Sequence, residues 1–181
     1  FFPIAIKRDD NTIIPRGDTI LEIGDHVVFM TTEGGVKELC KLSGTDLTKI
    51  SDVMIMGGGN IGRKIAEKLS NNFNVKIIEK NKSCAQDLAE RVPETLVIYG
   101  DGRDVELLDE ENLNNMDAFV SVTGNSETNI MSCLVAKSKG IKKTIALVDN
   151  MDYYKLSQSI GIDTLINQKL LAANSIVKFI K

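Results

Sequence analysis

Short apolar runs alternate with amphipathic stretches from residue 52 to the end of the chain. The first run, Val53-Met54-Ile55-Met56, is apolar throughout, as expected of a strand buried on both faces of a parallel sheet. Ile61, Ile65 and Leu69 follow it at helical spacing, which predicts a helix directly after that strand. Further strands are predicted at residues 75–78, 96–99, 118–122, 144–148 and 164–166. Helices are predicted at residues 82–91, 105–108 and 153–160, in a segment with Asn125 or Ser126 as its N-cap and Gly140 at its end, and in a last segment to residue 180. This alternation indicates an α/β fold, a Rossmann-like doubly wound parallel sheet over residues 52–181.

Residues 1–43 have a different pattern, in which prolines and glycines interrupt short apolar stretches. The stretches at residues 4–6 and 27–30 are predicted strands. A β-rich segment this short cannot bury enough apolar surface to be stable by itself. The chain also begins without an initiator methionine, so we expect residues 1–43 to be the β-rich C-terminal part of a small α+β lobe of a longer protein. Residues 44–51, which begin with a polar Gly-Thr-Asp stretch, are the predicted linker.

Composition and charge narrow the class of protein. Apolar residues make up 43% of the chain and charged residues 26%, which is typical of a globular protein. The net charge is −3 and the sequence concentrates no basic face, so nucleic acid is not an expected partner. Three cysteines without a CxxC pair predict neither a disulfide framework nor a metal site, and they favour a reducing, cytoplasmic location. No apolar run approaches the roughly 18 residues that a membrane-spanning helix needs.

The strongest chemical motif is Gly57-Gly58-Gly59-Asn60-Ile61-Gly62, between the first predicted strand and the first predicted helix of the sheet. It fits the GxGxxG pattern of dinucleotide-binding turns. Gly57 permits the tight turn, Gly59 lets a diphosphate approach the backbone, and Gly62 lets the helix pack against the sheet. Amide groups and the positive end of the helix dipole then favour phosphate groups at this turn. Arg63-Lys64-Ile65 follows Gly62, so the Lys-Ser/Thr pair of a P-loop is missing.

Glu79 ends the second predicted strand of the sheet, about 20 residues after the glycine motif. A carboxylate at this place can accept hydrogen bonds from both ribose hydroxyls of an adenosine. It also repels a 2′-phosphate, so the pattern favours NAD or NADH over NADP.

Two later strands also end in residues that suit a ligand, because open α/β sheets bind ligands at the carboxyl ends of their strands. Asp101 is a candidate contact to adenine or ribose and Arg103 to a phosphate, although Gly-Asp-Gly is equally ordinary in a turn. Thr123 and Gly124 follow the next strand, where Gly124 either lets the backbone approach a ligand or belongs to simple helix capping.

Several motifs in a fixed order resemble the RCK/KTN domain family. They are Met54-Ile55-Met56-Gly57-Gly58-Gly59-Asn60-Ile61-Gly62, Val97-Ile98-Tyr99-Gly100-Asp101, and Val120-Ser121-Val122-Thr123 with Glu127, Asn129 and Ala136-Lys137. Residues 13–18 and 22–27 are similar to the end of the small C-terminal lobe of that family, RCK-C. Residues 52–181 are similar to its nucleotide-binding lobe, RCK-N or KTN.

The resemblance implies a cytoplasmic regulatory subunit that binds NAD or NADH and controls a potassium transporter or channel. Its implied partners are an integral-membrane transporter subunit, through which it is peripheral to the inner membrane, and further copies of itself in at least a dimer. The implied contacts to the diphosphate are Gly57, Gly58, Gly59, Asn60 and Ile61. The implied contact to the ribose is Glu79. The implied residues around the adenosine are Asp101, Arg103, Thr123 and Gly124. Many lobes of the family carry an arginine where Leu147 stands in Ala146-Leu147-Val148, so this chain lacks that cation.

Alternative functions follow from the same glycine turn. An NAD-dependent oxidoreductase fragment needs a proton donor or acceptor near the nicotinamide. The single histidine, His26, lies outside the predicted nucleotide-binding segment, and Tyr153 and Tyr154 have no lysine four positions later, so no enzymatic activity is expected. A sensor of ATP, ADP or AMP is the other alternative.

Ile160, Leu170 and Ile176 in the late helices are predicted to contribute to dimerisation.

Overall fold

A computed structural model describes residues 1–9, 11–44, 49–150, 153 and 161–180 of the chain. The chain divides into two compact units, residues 1–48 and residues 49–181. Each unit has its own sheet.

The first unit is an antiparallel sheet followed by a helix. Its strands are β1 (Phe2–Arg8), β2 (Asn11–Ile13) and β3 (His26–Met30), in the order β2-β1-β3. Arg8 organises the long connection before β3: it donates to both carboxylate oxygens of Asp25 at 2.8 Å and to the carbonyl of Ile20 at 2.9 Å. Its guanidinium lowers the pKa of Asp25 to about 2. These contacts tie the connection to β1, while Ile20, Leu21 and Ile23 within it stay exposed.

A helix, α1 (Glu33–Ser43), ends the first unit. The Gly34-Gly35 pair, which the sequence pattern marks as an interruption between short strands, lies in its first turn. The sequence pattern of this segment predicted no helix, although Val36, Leu39 and Cys40 recur at helical spacing. The segment is therefore not purely β-structured.

The second unit alternates strands and helices. Its elements are β4 (Asp52–Met56), α2 (Asn60–Leu69), β5 (Asn74–Glu79), α3 (Lys82–Arg91), β6 (Thr95–Tyr99), α4 (Val105–Glu110), a 3-10 turn (Leu113–Asn115), β7 (Ala118–Ser121), α5 (Ser126–Ser138), β8 (Lys143–Val148), β9 (Thr164–Asn167) and α6 (Gln168–Ile180). The six strands run parallel in the order β6-β5-β4-β7-β8-β9. The predicted Rossmann-like doubly wound sheet is confirmed. The predicted helix at 153–160 falls, except for Tyr153, outside the described residues.

The central strand β4 contributes to a core on each face of the sheet. Val53 and Ile55 belong to the core that α2 and α3 cover, whereas Met54 and Met56 belong to the core under α4 and α5. Successive side chains of a strand point to opposite faces, so a continuous apolar run suits a sheet covered on both sides. Within the described ranges, no helix is both long and apolar enough to cross a membrane.

Candidate nucleotide site

A cleft lies at the carboxyl edge of the sheet, where the connections from β4 and β7 leave in opposite directions. Such a switch point is the usual ligand site of an open α/β sheet. The cleft has a volume of about 470 Å³, within the range of roughly 300–1,000 Å³ that small-molecule sites occupy. Its walls come from the turns after β4, β5, β6 and β7. Residues far apart in sequence therefore meet at one edge.

The glycine turn after β4 is held by close backbone packing. Gly57 has a φ of +107°, which favours glycine, and a Cβ there would lie 3.0 Å from backbone atoms of Val122 and Thr123. A Cβ at Gly62 would lie only 1.9 Å from the carbonyl oxygen of Gly57. These two positions therefore require glycine for the fold of the turn itself.

Gly59 is different, because it lies at the open side of the turn. A Cβ at Gly59 would have no described atom within 4 Å, and Gly59 lines the cleft. It is also the N-cap of α2, and no side chain among the described residues caps that end of the helix. By contrast, α3, α4 and α5 are capped by Asn81, Asp104 and Asn125. The free first-turn amides of α2 are therefore hydrogen-bond donors that suit the diphosphate of a dinucleotide.

Glu79, the last residue of β5, joins the glycine turn to the turn after its own strand. Its Oε2 accepts a hydrogen bond from the amide of Gly58 at 2.7 Å, and its Oε1 accepts one from the amide of Asn81 at 2.7 Å. A carboxylate has about four lone-pair positions, so acceptor capacity remains for ribose hydroxyls. Glu79 lines the cleft with its carboxylate already oriented by the backbone.

Cys84 lies behind the same turn. Its thiol is 3.4 Å from the carbonyl oxygen of Gly58, and burial raises the pKa of this thiol. A protonated, half-buried thiol in this position acts as a packing partner of the turn.

Asp101 and Arg103 form an ion pair within the turn after β6. The Arg103 Nε and Nη2 groups donate to the Asp101 carboxylate at 3.0 Å and 2.6 Å, and the Arg103 amide donates to it at 3.0 Å. These hydrogen bonds lower the pKa of Asp101 to about 2. Both residues line the cleft, so the turn places a carboxylate and a cation there together.

The turn after β7 forms the wall opposite the turns after β5 and β6. Thr123, Gly124 and Asn125 line the cleft, and a Cβ at Gly124 would have no described atom within 4 Å. The Asn125 side chain accepts from the amide of Thr128 at 2.6 Å and so begins α5, as one of the two predicted caps. The capping interpretation therefore applies to Asn125, while Gly124 leaves an open edge.

The structure brings most of the predicted site residues to the cleft. Those that line it are Gly57, Gly59, Glu79, Asp101, Arg103, Thr123 and Gly124. Four others are not lining residues: Gly58 contacts Glu79, Asn60 and Ile61 begin α2, and Gly62 packs on Gly57. Contact of any of these residues with a nucleotide stays a prediction.

Sequence reasoning did not assign Lys80 or Thr128 to the site. Lys80 adds a cation to the cleft and directly follows Glu79, so its place at a strand end was the available signal. Thr128 lines the cleft from the first turn of α5. Among the residues that the structure describes, no cluster of His, Cys, Asp and Glu could hold a metal ion.

The second unit is a Rossmann-like domain of the nucleotide-binding kind, as shown by its strand order, its glycine turn and the cleft at the carboxyl edge of its sheet. The chain belongs to the TrkA-N domain family, which matches residues 53–168, and residues 1–44 match the TrkA-C domain. The resemblance to the RCK/KTN family is thereby confirmed.

Curated relatives are longer than this chain. The Trk system potassium uptake protein TrkA of Vibrio alginolyticus is 35% identical over 181 residues, which cover 98% of this chain and 39% of the relative. The protein of the same name from Haemophilus influenzae is 36% identical over 182 residues, with the same two coverages of 98% and 39%. The chain thus spans about two fifths of the length of these relatives.

Solved structures share the fold. The TrkA-N domain of the Escherichia coli inner membrane protein ybaL has a TM-score of 0.66 at 16% identity, over 75% of this chain and 100% of that one. A GsuK channel bound to NAD has a TM-score of 0.56 at 21% identity, over 66% of this chain and 22% of that one. A GsuK structure bound to ADP has a TM-score of 0.61 at 19% identity, over 82% of this chain and 43% of that one.

Proposed function

We propose that this chain is part of a regulatory subunit of a potassium-transport system, and that its cleft binds NAD or NADH. The observation that carries the proposal is the N-terminus of α2, where the bare Gly59 faces the same open cleft as Glu79. A helix N-terminus favours a diphosphate, and the adjacent carboxylate favours the hydroxyls of a ribose. One dinucleotide satisfies both features.

The names of similar proteins support the potassium-transport and nucleotide-binding parts of the proposal. The TrkA relatives are named for potassium uptake, and the similar GsuK structures are named as bound to NAD and to ADP. We infer an integral-membrane potassium transporter as the partner, with this chain on the cytoplasmic side of the inner membrane. ADP and ATP are the alternative ligands of the same turn.

The chemistry of the cleft favours sensing over catalysis. Among the described residues that line it there is no histidine, cysteine or tyrosine. Asp101, with its pKa lowered to about 2, stays ionised at neutral pH and is a poor proton donor there. A bound nucleotide would act by its different affinity for two arrangements of the assembly.

Calorimetry on the 181-residue chain with NAD, NADH, ATP and ADP in parallel tests the ligand. We expect saturable binding that is tightest for NAD or NADH. The same preparation should show no turnover with panels of hydroxy acids and aldehydes. Turnover at ordinary enzyme rates would establish the oxidoreductase alternative, and a clear preference for ATP or ADP would establish the adenine-nucleotide alternative. No binding of any nucleotide would refute the proposal.

We also propose that the chain forms homo-oligomers, at least dimers. Helix α6 exposes Leu170, Leu171, Ile176 and Val177, and exposed apolar groups of this kind mark interaction surfaces. Ile160, the other residue predicted to contribute, lies outside the described residues. Light scattering at high protein concentration should give at least the dimer mass, whereas a strict monomer would contradict the proposal.

A further inference from the structure

Asn129 is a buried amide that does not line the cleft but touches its wall. It lies in α5 and is 1% exposed. Its side-chain oxygen accepts hydrogen bonds from the Thr123 amide at 2.9 Å, the Thr123 hydroxyl at 2.6 Å and the Ser121 hydroxyl at 2.9 Å. Its Nδ2 donates to the carbonyls of Thr123 at 3.1 Å and Leu147 at 2.8 Å. Both N–H donors of the amide are therefore used.

Packing alone does not explain an amide at this position. The neighbouring buried residues of α5 include Ile130, Cys133 and Ala136, which are apolar or weakly polar. Removing an amide from water is unfavourable unless its hydrogen bonds are replaced, and an apolar side chain of similar size avoids this cost. The amide of Asn129 is explained by the groups that it holds in place.

Those groups belong to the wall of the cleft. The N–H, O–H and C=O groups of Thr123 all bond to Asn129, so the Thr123 donors are not available to a ligand. Thr123 also packs against the glycine turn, since a Cβ at Gly57 would lie 3.0 Å from its backbone nitrogen. The bond to the Leu147 carbonyl anchors this arrangement to β8.

We infer that Asn129 is a positioning residue of the nucleotide cleft. Its hydrogen bonds hold the turn after β7 in place and tie this turn to β8. Because Thr123 in the same turn packs against Gly57, Asn129 sets the distance between the turn after β7 and the glycine turn. Thr123 acts as a wall of the cleft, and Gly124 beside it provides the open edge. This inference rests on the proposed nucleotide site.

The test compares two buried amides in the full chain. Asn129→Ala removes the bonds to the turn. The control, Asn167→Ala, removes a side-chain amide that does not line the cleft and belongs to a residue that is 3% exposed. This amide donates to the backbone carbonyl of Asp149 at 3.2 Å and accepts from the backbone amide of Leu170 at 2.9 Å. Both should lower the melting temperature. We expect the Kd for NAD to rise about tenfold in Asn129→Ala and to stay within about twofold in Asn167→Ala.

Hydrogen exchange provides a readout that lower overall stability does not reproduce. In Asn129→Ala the Thr123 amide should exchange faster while the amides of β4 keep their protection; in Asn167→Ala both should remain protected. If Asn129→Ala does not fold, Thr123→Val keeps the amide of Asn129 and removes the Thr123 hydroxyl, which donates to Asn129 at 2.6 Å and has longer contacts with the backbone of Asn125. The same two measurements apply to this variant. Faster Thr123 exchange with about threefold weaker NAD binding supports the inference in that variant.

Two results overturn the inference and leave the proposed function intact. One is equal loss of NAD affinity in Asn129→Ala and Asn167→Ala, because affinity would then follow stability. The other is wild-type affinity in the folded position-129 variant or, where that variant does not fold, in Thr123→Val. A wild-type chain that binds neither NAD nor ADP refutes the proposed function first, and the inference with it.

Discussion

Gly62→Ala is expected to destabilise the second unit by about 3 kcal/mol, whereas Gly59→Ala is expected to leave the fold stable and to weaken NAD binding. The two residues belong to the same GxGxxG turn, but their surroundings differ. At Gly62 a Cβ would lie 1.9 Å from the Gly57 carbonyl oxygen. That oxygen is a backbone atom, so α2 has to move away from the turn to relieve the clash.

At Gly59 the physical situation is the opposite. An added Cβ would meet no described atom within 4 Å, and the φ of −63° is accessible to alanine. Loss of the glycine N-cap costs at most about 1 kcal/mol. The new methyl group occupies the place where a diphosphate would approach the backbone, so we expect NAD affinity to fall at least about tenfold.

Denaturant unfolding and calorimetry on both variants separate the two effects. Gly62→Ala should show a large loss of unfolding free energy, and Gly59→Ala a large loss of NAD affinity at nearly wild-type stability. Wild-type affinity in Gly59→Ala would mean that no diphosphate lies at this turn. Wild-type stability in Gly62→Ala would mean that α2 does not pack so closely against Gly57.

Glu79→Ala should lower the affinity for NAD roughly 100-fold, because charge-assisted hydrogen bonds to the ribose and the orientation of the turn are lost together. The carboxylate holds the amides of Gly58 and Asn81, each at 2.7 Å. Glu79→Gln keeps the size of the side chain but presents an NH₂ group where a second acceptor is needed. We expect an intermediate loss in that variant.

Selectivity separates the ribose role of Glu79 from its role in the turn. Removing the carboxylate removes its repulsion of a 2′-phosphate, so the preference for NAD over NADP should narrow in both variants. Binding of inorganic pyrophosphate, which has no ribose, should change less than binding of NAD. Glu67→Gln is the matched control, since Glu67 pairs with Arg63 on α2 and is not a lining residue. An equal loss for NAD and pyrophosphate would contradict the ribose role.

The strands of the parallel sheet could be predicted from the sequence, because each strand is marked by an apolar run of residues that are adjacent in the chain. A continuous apolar run such as residues 53–56 is required of a strand with helices on both faces, and the structure buries it in two cores. Helix α1 was missed because Gly34 and Gly35 resemble loop residues, whereas the period of Val36, Leu39 and Cys40 decides the local structure.

Part of the candidate site could likewise be predicted from local sequence, and part of it could not. Gly57 and Gly62 follow from a short motif, because tight turns and close packing demand residues without a side chain. The partners of Asn129 do not follow from sequence, since Leu147 reaches it only after β7 and β8 have paired. The ion pair of Asp101 with Arg103 is local, yet its orientation toward the cleft depends on the whole sheet edge.

A crystal structure of the chain with NAD tests the central claim most directly. We expect the diphosphate at Gly59 and the first-turn amides of α2, and a ribose with its hydroxyls on the carboxylate of Glu79. A dinucleotide bound elsewhere, or bound in the cleft with Glu79 turned away from the sugar, would contradict the account.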